Sequence, residues 1–203
     1  MSPQTWVGLG GQALLLAGAL SLVVRRFAAN SLPIRLLPIG IAALSLLPLG
    51  HLSPAAYLRG QFGDLSVSSM ALLALATLSP LFGRDLLGDR TRRAFYPVVA
   101  LVALLFYPFA LGFTYFDPYA AGYGSFAMLG ALAVLTLAAW LARQPVVVAI
   151  LVIALAAQLA GALESSNLWD YLLDPLLAVY AMAWSLRELR TLARAARAPA
   201  PER

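Results

Sequence analysis

The chain has 203 residues, 62% of them hydrophobic and 11% charged, with a formal net charge of +5 and no cysteine. Soluble domains are about half apolar and about a quarter charged, so this balance points to a membrane protein. Without cysteine there are no disulfides, iron–sulfur clusters or thiolate zinc sites, and with one histidine a bis-histidine haem cannot form within one chain.

The apolar runs are long and continuous, without the period-two alternation of an outer-membrane barrel. They predict an all-α fold, a single polytopic helix bundle occupying the whole chain. All 14 basic residues are arginine, and the Ala/Leu-rich composition resembles that of GC-rich bacterial genomes. The arginines flank apolar runs, where membrane topology accounts for them, so no nucleic-acid partner is implied.

About 20 apolar residues cross a hydrocarbon core. Span one is predicted over residues 6–24 and is closed by Arg25 and Arg26. Its positive charge follows the apolar run, which reads as a retained helix with the N-terminus outside rather than a signal peptide. Span two covers residues 31–50, with Pro33 in its first turn and Arg35 able to snorkel toward the surface of Arg25 and Arg26. Residues 51–64 form an outside segment, either a surface loop or a re-entrant one, holding His51 and Arg59. Span three covers residues 65–82, with Asp64 in the N-cap position. A basic turn follows at residues 83–93. Span four covers residues 96–115, with a kink expected at Pro108 and Gly112. Residues 116–125 are a second outside loop.

Span five covers residues 126–142 and returns tightly through Arg143, Gln144 and Pro145 into span six, residues 146–163. Residues 164–170 make the third outside loop, and span seven covers residues 168–186. The basic tail, residues 187–203, carries five arginines in an amphipathic pattern and ends in a fraying APAPER. Small residues in span one (Gly8, Gly10, Gly11, Gly18) and span five (Gly130, Ala131, Ala133) suggest close helix packing.

Seven spans with the N-terminus outside and the C-terminus inside place every arginine but Arg59 on the inner face. Removing or splitting one span scatters arginines over both faces, so the positive-inside rule supports both count and orientation. The location that follows is a bacterial inner (cytoplasmic) membrane.

Arg59 then faces Asp64, Asp117, Glu164 and Asp170 across an aromatic rim that includes Tyr119 and Trp169. One reading makes Arg59, Asp64, Asp117 and His51 a catalytic group, with Arg59 holding an anionic lipid head beside an acid–base carboxylate. In it, Asp174, Asp170, Glu164 and Tyr119 are binding residues. The other reading makes the same residues an ordinary rim of helix caps, an ion pair and an interfacial aromatic belt. No metal site is expected, because His51 has no second histidine to work with.

Asp170 and Asp174 are four residues apart, and so on one face if span seven is continuous. An ionised Asp at a helix centre costs about 2.5–3.5 kcal/mol, less near the interface, so Asp174 should face the interior or be paired. Alternatively, span seven starts there, with Asp174 as N-cap and Pro175 at the first helical position.

No catalytic motif, phosphate loop or dinucleotide fingerprint is present, no cofactor is expected, and no stretch supports a family assignment. Three functions fit. The first is a non-catalytic subunit or assembly partner in cell-envelope biogenesis, with membrane lipids and another membrane protein as partners. The second is a small enzyme acting on a lipid-linked substrate at the periplasmic face, and the third is a transporter or flippase using Asp174.

Overall fold

The computed structural model describes residues 2–27, 32–113 and 115–197. The chain is all-helical, with no strand among the described residues. The helices are α1 (Pro3–Phe27), α2 (Leu32–Ser45), α3 (Pro54–Phe62), α4 (Val67–Leu78), α5 (Asp89–Ala110), α6 (Phe126–Leu141), α7 (Pro145–Leu159), α8 (Leu168–Leu172) and α9 (Pro175–Arg197), with a 3-10 turn at Tyr119–Gly122. The side chains of Arg25, Arg26 and Arg197, the Ser31 start of span two and the tail residues 198–203 lie outside what the structure describes.

Local chemistry sets most helix starts. Ser53, Ser66 and Ser125 each accept a hydrogen bond from the backbone N–H three residues on, satisfying a donor that the first turn leaves free. Pro54, Pro145 and Pro175 open α3, α7 and α9, where a missing N–H is harmless.

Helix α1 packs on α2, α3 and α4; α4 packs on α7 and α8; α6 lies on α7; α9 lies along α5. The core between them buries Leu72, Tyr96, Leu132, Ile150, Tyr171 and Leu177 among others. By length and composition, α1 over Pro3–Val23 and α5 over Asp89–Ala110 are each able to cross a membrane. Helices α2, α4, α6 and α7 are apolar but shorter, so helix length by itself does not establish seven crossings.

Several boundaries move, each for a local reason. The cap of span three is Ser66 rather than Asp64, which frees Asp64 for Arg59. Span two stops at Ser45, and the chain turns through Gly50 (φ 83°) with Leu49 bridging to Leu52. Residues 54–62 form neither a surface loop nor a bare re-entrant strand of chain: α3 is a capped helix packed on α1, with Ala55 fully buried.

Helix α5 starts at Asp89, so Arg90, Arg92 and Arg93 ride on its first turn instead of in a loop. Both Pro97 and Pro108 lie inside α5, and Gly112 (φ 85°) falls in the turn after it. Span seven is not continuous. Leu173 is extended between α8 and α9, because Asp174 precedes a proline and is thereby turned from helical geometry. Gly10 in span one and Gly130 in span five have no neighbour within 4 Å where a Cβ would sit, so neither is a close-packing position, although α6 does pack on α7.

Charged side chains collect at the two ends of the bundle. At the α5 start, Arg92 pairs with Asp85 and Asp89, Arg93 Nε donates to Glu188 of α9 at 2.9 Å, and Arg90 donates to the carbonyl of Ala142 at 3.1 Å. The 22-residue α5 rises about 33 Å to Tyr107 and Ala110, where Asp64, Glu164, Asp170 and Asp174 gather. Between the ends, large apolar side chains face outward, among them Leu101, Leu104, Val134, Leu137, Val152 and Ile153. An apolar exterior of this kind marks an interaction surface or a lipid-facing one.

Candidate functional site

Asp174 is the deepest element of the site, 6% exposed. Its Oδ1 accepts the N–H of Leu177 at 2.8 Å, capping α9. Its Oδ2 accepts the N–H of Ser66 at 2.9 Å, the hydroxyl of Ser66 at 2.7 Å and the hydroxyl of Ser69. Since Ser66 is itself the cap of α4, one carboxylate closes the N-termini of two helices and meets the positive end of both dipoles. The two sequence readings of Asp174 therefore merge: it is a helix cap, and it is also buried and inward-facing. Its partners are serine hydroxyls and backbone amides rather than Arg59.

Arg59 forms the second group. Its Nε and Nη2 donate to the two oxygens of Asp64 at 2.6 and 3.0 Å, a planar fork, and Nη2 also donates to Glu164 at 2.7 Å. Hydrogen bonds to Asp64, then to Glu164, hold the guanidinium above its already high ordinary value, so it stays charged. Two glycines make the pair possible. Gly63 (φ 72°) ends α3 with its N–H on the Arg59 carbonyl at 2.8 Å, turning the chain so that Asp64 faces back. A Cβ on Gly8 of α1 would overlap Asp64 Oδ1 and stand 2.5 Å from Arg59 Nε. The Gly8 packing expected from sequence is thus packing against an ion pair. Nearby, Gln12 of α1 donates to the Gly63 carbonyl at 2.8 Å.

The third group ties the 3-10 turn to the α7–α8 loop. The Tyr119 hydroxyl donates to Asp170 Oδ2 at 2.8 Å, and Ser165 donates to the same oxygen at 2.5 Å. The Asn167 amide donates to the Tyr119 carbonyl at 2.9 Å, and the Trp169 indole N–H to the Pro118 carbonyl at 2.9 Å. Desolvation, then the Asp170 carboxylate, push the Tyr119 phenol above its ordinary value.

Asp64, Glu164, Asp170 and Asp174 all line one cavity of about 520 Å³, walled also by Phe106, Tyr107, Tyr119, Trp169 and Leu173. Arg59 borders it from a neighbouring cleft shared with Thr5, Gly63, Asp64 and Glu164. Of the eight residues singled out from sequence, six converge here. His51 does not: it is exposed at the tip of the turn after α2. Asp117 does not either; it is exposed and accepts the N–H of Tyr119 at 2.9 Å as a local turn brace.

Ser66, Ser69, Ser165, Asn167 and Tyr107 complete the site without being singled out by the sequence. Ser66-x-x-Ser69 and Asp174-Pro175 are both helix-start signals. Only the tertiary fold sets them against each other. Comparison with family models, with curated proteins and with solved structures returns no match to this chain.

Proposed function

We propose that this chain is a seven-crossing protein of a bacterial inner membrane, N-terminus outside, serving as a non-catalytic subunit or assembly partner in cell-envelope biogenesis. One observation carries the non-catalytic part: the polar groups of the site satisfy one another. Arg59 is held by two carboxylates, Asp170 by two hydroxyls, and Asp174 by two hydroxyls and two backbone amides. A general base needs a free lone pair aimed at a proton, and a phosphate-binding arginine needs its donors directed at the ligand. Asp174 has both oxygens engaged, and Arg59 gives three of its five N–H donors to Asp64 and Glu164, keeping only those on Nη1. The segregation of Arg90, Arg92 and Arg93 to the end opposite Arg59 supports the orientation.

The test begins with topology. Because the chain has no cysteine, single cysteines report without background. Cysteine at His51 or Tyr123 should react with an impermeant maleimide in intact cells, and cysteine at Arg84 or Arg143 only after permeabilisation. The reverse pattern, or labelling at both ends, refutes the orientation. Crosslinking at native expression should then give a defined larger species, and a monomer alone refutes the subunit reading.

A second reading, a small enzyme on a lipid-linked substrate, is favoured by the four carboxylates sharing one cavity. It requires Asp170→Asn to abolish a cellular activity at unchanged protein level. The transporter reading has less support, since both oxygens of Asp174 are already occupied.

A further inference from the structure

Helices α5 and α6 both lean on α7 and leave an apolar slot of about 370 Å³ between them, lined by Val98, Val102, Ala131, Leu135 and Ala138. The α6 stretch along it, from Met128 to Ala142, measures about 21 Å at 1.5 Å per residue. That exceeds the roughly 15 Å depth of one leaflet's hydrocarbon. At its far end Gln144 accepts the Thr91 hydroxyl at 3.2 Å, a polar floor. At its near end Trp169 and Leu173 line both the slot and the acidic cavity, so the two spaces adjoin across these two side chains. Both volumes fall within the ~300–1,000 Å³ range of ligand pockets.

We propose that the slot holds the acyl chain of an amphiphile whose head group carries a primary amine and sits in the cavity above it. Charge complementarity selects the head. Asp64, Glu164, Asp170 and Asp174 line the cavity, and Arg59, the one cation beside it among the described residues, gives three of its five donors to Asp64 and Glu164, so four carboxylates stand against one guanidinium. The rings of Tyr107, Tyr119 and Trp169 offer π faces to an ammonium. An anionic head group with no cation of its own would add negative charge to four carboxylates, with the Nη1 donors of Arg59 alone to offset it. Small side chains of α6, Ala131, Ala138 and Ala139, line the slot and leave its width unfilled.

This inference rests on the outward orientation proposed above and goes beyond the subunit reading by giving the cavity and slot a ligand class. The test uses the full chain in maltoside micelles. Lyso-phosphatidylethanolamine at ten times its Kd should raise Tm by about 3–6 °C. Lyso-phosphatidylglycerol, ethanolamine alone and a fatty alcohol alone should each give a smaller shift. Glu164→Gln, which removes one facing charge, should weaken amine-lipid binding about fivefold. Ala131→Trp or Ala138→Phe, each filling the slot, should abolish the selective shift, while Gly130→Leu, outside it, should keep it.

Equal shifts with the anionic and amine lipids would mean annular lipid only and overturn the proposal. So would an equal shift from ethanolamine alone, or slot variants that fold and still discriminate. Amine binding is read on the purified chain and partner assembly by crosslinking in membranes, so either reading can fail without the other.

Discussion

Replacing Asp174 tests whether one carboxylate joins two halves of the bundle. In Asp174→Ala, α9 loses its cap on Leu177, worth about 1 kcal/mol. The buried N–H and hydroxyl of Ser66 and the hydroxyl of Ser69 lose a charged acceptor; hydrogen bonds to charged groups are worth about 1.5–3 kcal/mol each and are not additive. Leaving these buried donors at two helix ends unsatisfied costs about 3–5 kcal/mol in all, the losses overlapping rather than adding. In a chain of this size each kcal/mol moves Tm by about 2–4 °C, so the drop should be about 6–20 °C.

Asp174→Asn is nearly isosteric but offers one acceptor oxygen and an amide, so one set of donors must face an NH2 group. It should cost about 2 kcal/mol, roughly half as much. The assay is thermal unfolding in detergent micelles followed by circular dichroism, with Ser66→Ala in a double-mutant cycle. The Ser66 and Asp174 costs should be strongly non-additive, since both remove the same link. A Tm for Asp174→Ala within 2 °C of the parent would refute the reasoning, because a cap shared by two buried helix ends cannot be that cheap.

The remaining predictions concern the rim and the opposite end. Gly8→Ala should destabilise about as much as Arg59→Ala, about 1–2 kcal/mol, and the double variant no more than either, by chemical denaturation. Gly122→Ala would drive a Cβ into the Asn167 side-chain amide, loosening the loop by about 1–3 kcal/mol and opening Trp169 to acrylamide quenching. At the other end, Arg93→Ala should stay within about 0.5 kcal/mol of the parent, because that pair is exposed.

Tyr119 carries a pH signature. Its phenol is raised in the folded state, so the folded chain keeps a proton that the unfolded chain sheds. Stability should be intact below about pH 10 and fall as pH rises beyond it, and Tyr119→Phe should flatten that fall in a Tm-against-pH series.

Composition and pattern by themselves pointed to the helical class, because apolar runs this long, without period-two alternation, fit helices better than strands. They also singled out eight polar residues, six of which the fold brings to one cavity and its border. The helix start at Asp174 and Pro175 was readable as one alternative because a cap is local, involving residues within one turn.

Only the tertiary structure decided what Asp64 and Asp174 do. Asp64 looks like a helix cap until Gly63 turns it onto Arg59 and Ser66 takes the cap instead. Asp174 looks like either a cap or a buried acid until α4 arrives, 108 residues earlier in sequence, to make it both. Local sequence carries backbone preferences and periodicity. The shared carboxylate, the cavity and the slot between α5 and α6 exist only where distant helices meet, and no neighbour-to-neighbour rule encodes that meeting.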